Sequence, residues 1–260
     1  MRNKIVEILQ DAGEIISSRI HTTKQIDSKS TNIDLVTEVD RQVELFLKEK
    51  LSTLLPGSEF LSEETDSELK EAEKLWVMDP IDGTLNFVHG FPILCISLAL
   101  HEDGIPTQAY VYNPMINYLF EAQKGQGTKW NGQSVSVSKN TKFQDCLLST
   151  GFPYDYLTTS ENNLNYFDHF NRLTQGVRRP GSAALDMAFT AAGTFDGFWE
   201  WHLKPWDVAA GILLVQEAGG IVTNYQGKTF KFTDNNIVAA NPVIHALMLK
   251  ELEFLRKKMI

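Results

Sequence analysis

The most constraining feature of this sequence is a six-residue turn at the end of a short apolar run. Residues 75–78 predict a buried strand, and the turn that follows reads Asp79-Pro80-Ile81-Asp82-Gly83-Thr84. A buried strand gains no packing energy from carboxylates at its end, so cations or hydrogen bonds have to match their charge. The turn therefore predicts a functional site.

Composition bounds the class of protein and the kind of partner. The chain has 260 residues, and its hydrophobic content of 43% is enough for a sizeable core. Its 24 basic and 33 acidic residues give a formal net charge of -9, so no cationic surface for nucleic acid is expected. Cys95 and Cys146 form no CxxC pair, which argues against a zinc ribbon or a disulfide framework and favours the cytoplasm.

The apolar segments predict no association with a membrane. Residues 1–20 carry Glu7, Asp11 and Glu14 within a helical apolar pattern, which the core of a signal peptide would not tolerate. The longest apolar run, residues 91–100, is much shorter than the roughly 20 residues that span a bilayer. A soluble protein is expected.

The periodicity of the chain predicts a layered mixture of helices and strands. Apolar residues recur at helical spacing over residues 5–20 and 43–51, and residues 91–137 show short β-like runs between turn signals, typical of an antiparallel meander. Beyond residue 139, helices are predicted at 163–173, from Ser182, at 208–218 and at 243–256, with strands near 147, at 195–199 and at 237–239. We expect an α+β half over 1–138, with the antiparallel sheet and the metal-binding motifs, and an α/β half over 139–260. Without a Gly/Ser linker, the two should pack as one compact unit.

Four acids stand where secondary-structure elements are predicted to change: Glu63, Asp79, Asp82 and Asp207. Carboxylates without His or Cys suit hard divalent cations such as Mg²⁺. Two such ions roughly 3.5 to 4 Å apart can activate a water and stabilise a leaving oxygen at phosphorus. These acids therefore predict a magnesium site for phosphate chemistry, in which one Asp can bridge two ions.

The backbone around these acids is suited to an anion. Pro80 rigidifies the turn, the Ile81 carbonyl can face a metal, and Gly83 permits close approach of the backbone. Thr84 is expected to open a helix, whose first amides can hold phosphate oxygens while its hydroxyl orients a water. A second helix start, at Gly181-Ser182-Ala183, can add donors.

These motifs resemble the inositol monophosphatase family of magnesium-dependent, lithium-sensitive phosphatases, which are related to fructose-1,6-bisphosphatases. The resemblance covers nearly the whole chain. It rests on motifs in the same order along the chain, at residues 34–40, 63–64, 76–87, 125–132, 179–186 and 206–211. It implies a layered αβαβα sandwich, a homodimer and two or three Mg²⁺ ions per site.

The resemblance also implies roles for individual residues. The implied metal ligands are Glu63, Asp79, the Ile81 carbonyl, Asp82 and Asp207, and these four acids with Thr84 form the implied catalytic set. The implied substrate contacts are Glu63, Ile81, Asp82, Gly83, Thr84, Gly181, Ser182, Ala183, Glu200 and Asp207. The implied outer positions are Lys29, Asp40 and Glu64.

The function that the resemblance implies is hydrolysis of myo-inositol 1-phosphate-like substrates by metal-activated water. NADP, fructose 1,6-bisphosphate and 3'-phosphonucleotides remain open as substrates, and Arg178-Arg179 can favour one with an additional anionic group. A non-catalytic phosphometabolite-binding protein is the remote alternative. A haloacid-dehalogenase-like site is excluded because Pro80 stands where its nucleophilic Asp would be. Taken alone, Asp207 also fits an ordinary helix N-cap.

Overall fold

The structure, a computed structural model, describes residues 1–22, 26–28, 35–68, 71–153, 159 and 163–259. Within these ranges the α-helices are α1 (Arg2–Arg19), α2 (Glu38–Leu54), α3 (Thr84–Val88), α4 (Leu164–Leu173), α5 (Ala183–Ala191), α6 (Pro205–Glu217) and α7 (Pro242–Met259). The strands are β1 (Ile26–Ser28), β2 (Leu35–Thr37), β3 (Glu59–Ser62), β4 (Lys74–Asp82), β5 (Cys95–Glu102), β6 (Ile105–Asn113), β7 (Tyr118–Gln123), β8 (Thr128–Trp130), β9 (Gln133–Val135), β10 (Leu147–Thr150), β11 (Gly176–Arg178), β12 (Gly197–Trp201), β13 (Ile221–Thr223) and β14 (Asn236–Ala240).

Two large sheets form the frame of the molecule. The first has seven strands in the order β3-β4-β5-β6-β7-β8-β9, in which β3 and β4 are parallel and all later neighbours are antiparallel. The predicted meander is therefore confirmed. The second sheet has the order β11-β10-β12-β14-β13, with β10 parallel to both of its neighbours and β14 antiparallel to both of its own. The division near residue 138 stays a prediction.

Three layers of helices alternate with the two sheets, which gives five layers in all. Helices α1 and α2 pack on the outer face of the seven-stranded sheet, and α5 and α6 contact both sheets from the space between them. Helices α4 and α7 cover the outer face of the five-stranded sheet. The predicted αβαβα sandwich is confirmed. None of the helices in the described ranges has the length and apolar character that a bilayer crossing requires.

The outer layer forms because apolar residues follow the helical period on α1. Ile5, Leu9, Ala12 and Ile16 are buried, so one face of the helix lies against the sheet. Gly13 lets this helix approach closely, since a Cβ there would lie 2.7 Å from the Tyr112 ring. Burial of a large side chain stabilises such a layer by about 1.5 to 3 kcal/mol.

The continuous apolar run of β4 reflects burial on both faces. Helix α2 packs on one side of this strand and helix α6 on the other. A strand covered in this way carries apolar residues at consecutive positions instead of alternating ones. The acids at the C-terminal end of β4 therefore lie in the interior, where helices α3, α5 and α6 begin.

Several predicted boundaries shift for local reasons. Helix α6 begins at Pro205, earlier than the predicted residue 208, because Lys204 is its N-cap and Pro205 occupies the first turn. The N-cap alternative for Asp207 is wrong, since Asp207 is the third helical residue and accepts the Lys204 amide at 2.7 Å. The strand predicted at 195–199 is displaced to Gly197–Trp201.

Candidate active site

One cavity of about 120 Å³ collects the predicted site residues. It lies where β4 and β12 end and where α3, α5 and α6 begin. Its walls include every predicted metal, catalytic and substrate-contact residue: Glu63, Asp79, Ile81, Asp82, Gly83, Thr84, Gly181, Ser182, Ala183, Glu200 and Asp207. Stretches that are more than a hundred residues apart in sequence thus share one space.

A bulge in β4 brings its two acids to the same cavity. Asp79 and Asp82 are three positions apart, and in a regular strand such residues face opposite sides of the sheet. The pairing of β4 with β5 is regular up to Asp79 and shifts before Asp82. Pro80 is compatible with this interruption because it has no amide hydrogen to donate to a neighbouring strand. The Oδ1 atom of Asp79 accepts the Ile81 amide at 2.9 Å, which fixes the turn.

Asp82 joins the turn to the start of α5. Its Oδ2 atom accepts hydrogen bonds from the Ser182 hydroxyl and from the Ala184 amide, each at 2.7 Å. Burial raises the pKa of Asp82 to about 6, although these bonds act in the opposite direction. Asn86 adds a second connection, since its Nδ2 atom donates to the carbonyl of Pro180 at 2.9 Å.

The Thr84 hydroxyl lies between two acceptors. Its oxygen is 3.0 Å from Oδ1 of Asp40 and 3.1 Å from the carbonyl oxygen of Ile81. Asp40 is buried, and its other oxygen, Oδ2, accepts the Thr37 amide at 2.9 Å. Burial raises the pKa of Asp40 to about 6. Asp40 therefore lies behind Thr84 and outside the cavity wall.

The remaining outer positions are less directly connected to the cavity. Glu64 does not line it, and its amide donates to the Oε2 atom of Glu44 at 2.9 Å. Lys29 lies outside the described residues.

Asp207 is held at the start of α6, and α6 is tied to the sheet nearby. The Oδ2 atom of Asp207 accepts the Lys204 amide, and the Ser97 hydroxyl of β5 donates to the carbonyl of Trp206 at 3.1 Å. Burial is the largest cause of a pKa of Asp207 well above its ordinary value, followed by the charges of Asp82 and Glu63.

Glu200 reaches the cavity because its neighbour across the sheet has no side chain. Alternation along β12 directs Phe198 and Glu200 inward and places Trp199 in the outer core. A Cβ at Gly151 would lie 2.1 Å from Oε1 of Glu200, so this carboxylate requires the glycine. Burial raises the pKa of Glu200 to about 8, against the opposing charge of Arg179.

The cavity lining also includes residues outside the predicted metal, catalytic and substrate-contact sets. Asp186 is 1% exposed, and its Oδ1 atom has no hydrogen-bond partner in the part of the chain that the structure describes. Burial, followed by the charges of Glu200 and Asp82, raises its pKa well above the ordinary value. The other additional lining residues are Gly151, Phe152, Pro153, Arg179, Trp201, His202, Leu203, Lys204 and Trp206. The sequence signal for Asp186 is its position in the first turn of α5, four residues after Ser182, which caps this helix.

The donor chemistry of the cavity fits divalent cations. Its walls carry six acids, whereas Arg179 and Lys204 are its permanent cations. Such an excess of carboxylates, four of which are buried, is unfavourable unless protons or metal ions neutralise it, and oxygen donors are those that Mg²⁺ takes. Among the described residues, no three His, Cys, Asp or Glu side chains stand in a ready coordination geometry. Holding an ion therefore requires side-chain adjustment within the cavity.

Comparison with known proteins identifies the family. The sequence profile described as "Inositol monophosphatase family" matches residues 1–257. The chain is 41% identical to the inositol-1-monophosphatase of Synechocystis over 241 residues, covering 92% of this chain and 84% of that protein. It is 44% identical over 225 residues to a protein of Neisseria meningitidis named putative Nus factor SuhB, covering 86% of each.

A solved structure agrees with this relationship. The inositol monophosphatase from Anabaena superposes with a TM-score of 0.87 at 35% sequence identity, covering 96% of this chain and 94% of the other. A family profile over almost the whole chain, close relatives and a shared fold all point to one conclusion. The chain belongs to the inositol monophosphatase family, whose members are phosphoric monoester hydrolases.

Proposed function

We propose that this protein is a Mg²⁺-dependent phosphomonoesterase that hydrolyses inositol monophosphates such as myo-inositol 1-phosphate. The observation that carries the proposal is the meeting of Glu63, Asp79, Asp82 and Asp207 at one cavity with the Thr84 hydroxyl. A cavity with these oxygen donors and with amides at a helix start has the parts that a metal-assisted displacement at phosphorus requires.

The four acids and the Ile81 carbonyl would hold two or three Mg²⁺ ions, and Asp79 would be shared between two of them. When bound, such ions lower the pKa of a water and neutralise charge on the phosphate. The protein's own contribution is orientation. Thr84, fixed by Asp40, would align the attacking water together with Glu63, and the turn around Gly83 would leave room for phosphate oxygens. Gly83 has a φ of 102°, which favours glycine.

Other residues of the cavity lining are suited to a polyol. Glu200 and Asp186 are buried acids with raised pKa values, so in the protonated form they can donate hydrogen bonds to hydroxyl oxygens as well as accept them. The Gly181-Ser182-Ala183 segment also lines the cavity. A ring carrying several hydroxyls matches this set of donors and acceptors.

An exposed Arg179 at the cavity supports a second class of substrates. Its guanidinium suits an additional phosphate, so NADP, fructose 1,6-bisphosphate and 3'-phosphonucleotides are the alternatives within the same chemistry. The non-catalytic alternative is disfavoured because every proposed ligand lines the cavity.

Phosphate release from a panel of these esters, with and without Mg²⁺, tests the proposal. We expect magnesium-dependent release, with the highest kcat/KM on inositol monophosphate and with inhibition by lithium. Asp79→Asn is the matched control because it keeps an acceptor for the Ile81 amide and removes one charge. Release that is independent of magnesium, or unchanged in Asp79→Asn, would contradict it.

A further inference from the structure

A polar stripe runs along the buried side of α2. Asp40, Glu44 and Lys48 are four residues apart, so they lie on one face of the helix. The other buried positions of this helix are apolar: Val39, Val43, Leu47 and Leu51. Glu44 is nevertheless 0% exposed. A fully buried acid beside these apolar residues has to be explained by what it contacts.

Glu44 holds the turn that contains Glu63. Its Oε2 atom accepts the Glu64 amide at 2.9 Å, and its Oε1 atom accepts the Thr65 hydroxyl. Lys48 completes the arrangement, since its Nζ atom lies 3.0 Å from Oε1 of Glu44 and 2.6 Å from Oδ2 of Asp66. The turn over residues 63–66 is thus bonded to α2 through its backbone and through two of its side chains.

Packing alone does not account for an acid at this position. A buried ion pair often contributes no more stability than apolar residues of similar volume. The bond from Glu44 ends on the peptide unit between Glu63 and Glu64, which is rigid and planar. Fixing that peptide fixes the Cα atom of Glu63, and therefore the origin of its side chain at the cavity wall.

The same helix holds the other half of the proposed water site. Asp40 contacts the Thr84 hydroxyl, and Glu44 contacts the Glu63 turn one helical turn later. We propose that Glu44 is a positioning residue that sets Glu63 relative to Thr84, and that α2 thereby keeps the two groups in register. This inference rests on the proposed metal-dependent function. An effect of Glu44 is expected on metal affinity, because Glu63 is a proposed ligand.

The test compares the full-length protein with Glu44→Leu, which fills the volume without an acceptor, and with Glu44→Gln, which keeps one acceptor oxygen. Leu51→Ala is the control, because Leu51 is a buried residue of the same helix near its other end. The readouts are the Kd for Mn²⁺ by titration calorimetry, hydrogen exchange of the peptide over residues 62–66, and kcat and KM for phosphate release.

We expect Glu44→Leu to raise the Kd for Mn²⁺ about tenfold, the lower end of effects for groups that support metal ligands. Exchange at residues 62–66 should accelerate and kcat should fall, with Glu44→Gln intermediate on all three measures. Leu51→Ala should lower the melting temperature and leave the Kd unchanged. Glu44→Gln provides the test if Glu44→Leu does not fold.

Unchanged Mn²⁺ affinity in folded Glu44 variants would overturn the inference and leave the phosphatase proposal intact. Absence of phosphatase activity in the unsubstituted protein, with Mn²⁺ binding that still weakens on substitution of Glu44, would overturn the proposed function and support the positioning role. Absence of Mn²⁺ binding by the unsubstituted protein would overturn both.

Discussion

The Thr84 hydroxyl oxygen lies 3.0 Å from Oδ1 of Asp40, a residue 44 positions earlier in the chain. A hydroxyl has one proton, and a carboxylate accepts it more strongly than the Ile81 carbonyl, which lies 3.1 Å away. Donation to Asp40 leaves the lone pairs of Thr84 to accept a hydrogen bond from a water. Asp40 is itself held by Thr37, whose amide lies 2.9 Å from its Oδ2 atom. The orientation of Thr84 is therefore set by the start of α2.

Asp40→Asn should impair catalysis more than binding. The side-chain amide of asparagine can itself donate, so Thr84 no longer has a clear preference to donate its proton to residue 40. Loss of an oriented hydroxyl at the attacking water should lower kcat by about 100-fold. KM should change little, because Asp40 does not line the cavity. Steady-state kinetics measures the separation. Glu38→Gln is the control, since it neutralises an acid in the same helical turn, where Glu38 contacts Arg19. Equal losses in the two variants would contradict the assigned role.

Gly151→Ala should act on substrate affinity. The new Cβ would lie 2.1 Å from Oε1 and 2.5 Å from Cδ of Glu200, so the carboxylate has to leave its position. Loss of one hydroxyl contact corresponds to about a tenfold rise in KM for inositol monophosphate, with kcat nearly unchanged. Ser149→Ala is the control, because it alters a buried residue of the adjoining strand β10. A fall in kcat at constant KM would show that Glu200 serves the chemistry instead.

Local sequence signals located most of the fold. The turn signals within residues 91–137 include Asp103-Gly104 and Asn131-Gly132, and all four residues have positive φ angles, as tight hairpin turns require. The apolar periods predicted the helices, and the ordered motifs predicted the residues that line the cavity. These features depend on residues close in sequence, which explains why they can be read without a structure.

Features that depend on distant contacts were not predictable. The bulge that aligns Asp79 with Asp82 needs the partner strand β5, and the capping of α5 by Asp82 joins segments about one hundred residues apart. Asp186 faces the cavity because α5 is packed between two sheets, which its own sequence does not specify. Glu44 looks like one more acid of an amphipathic helix until the turn it holds is visible.

His101→Leu should flatten part of the dependence of stability on pH. Burial lowers the pKa of His101 from 6.5 to about 4, and its Nε2 atom has no hydrogen-bond partner among the described residues. Between these values the unfolded chain binds a proton that the folded protein does not, so stability is lost as pH falls from 6.5 towards 4. The difference between the two pKa values corresponds to up to about 3 kcal/mol in the free energy of unfolding.

Urea unfolding at several pH values measures this effect. The free energy of unfolding of wild type should approach that of His101→Leu, or fall below it, as pH decreases through this window. Burial also lowers the pKa of His245 to about 4. This residue should account for the dependence of stability on pH that remains in the variant. Parallel curves for the two proteins would contradict the expectation.

Asp207→Asn should stabilise the metal-free protein while it removes function. Burial and the charges of Asp82 and Glu63 raise the pKa of Asp207, so its ionised form is unfavourable in the folded state without a cation. The stability contributed by a carboxyl with a raised pKa is lost as pH rises through that value. Asparagine keeps an acceptor for the Lys204 amide and has no charge. In EDTA at pH 8 the variant should therefore melt at a higher temperature than wild type.

Magnesium should reverse that order. Wild type should gain stability from an ion bound to the folded state. The variant lacks one of the proposed ligands, so it should show a smaller rise in melting temperature and a loss of turnover of about 100-fold or more. Asp196→Asn is the matched control, because Asp196 is a buried aspartate that accepts the Leu147 amide away from the cavity. Its response to magnesium should equal that of wild type. If Asp207→Asn is instead less stable in EDTA and keeps the full magnesium response, Asp207 is a structural residue of α6 and the metal assignment at this position is wrong.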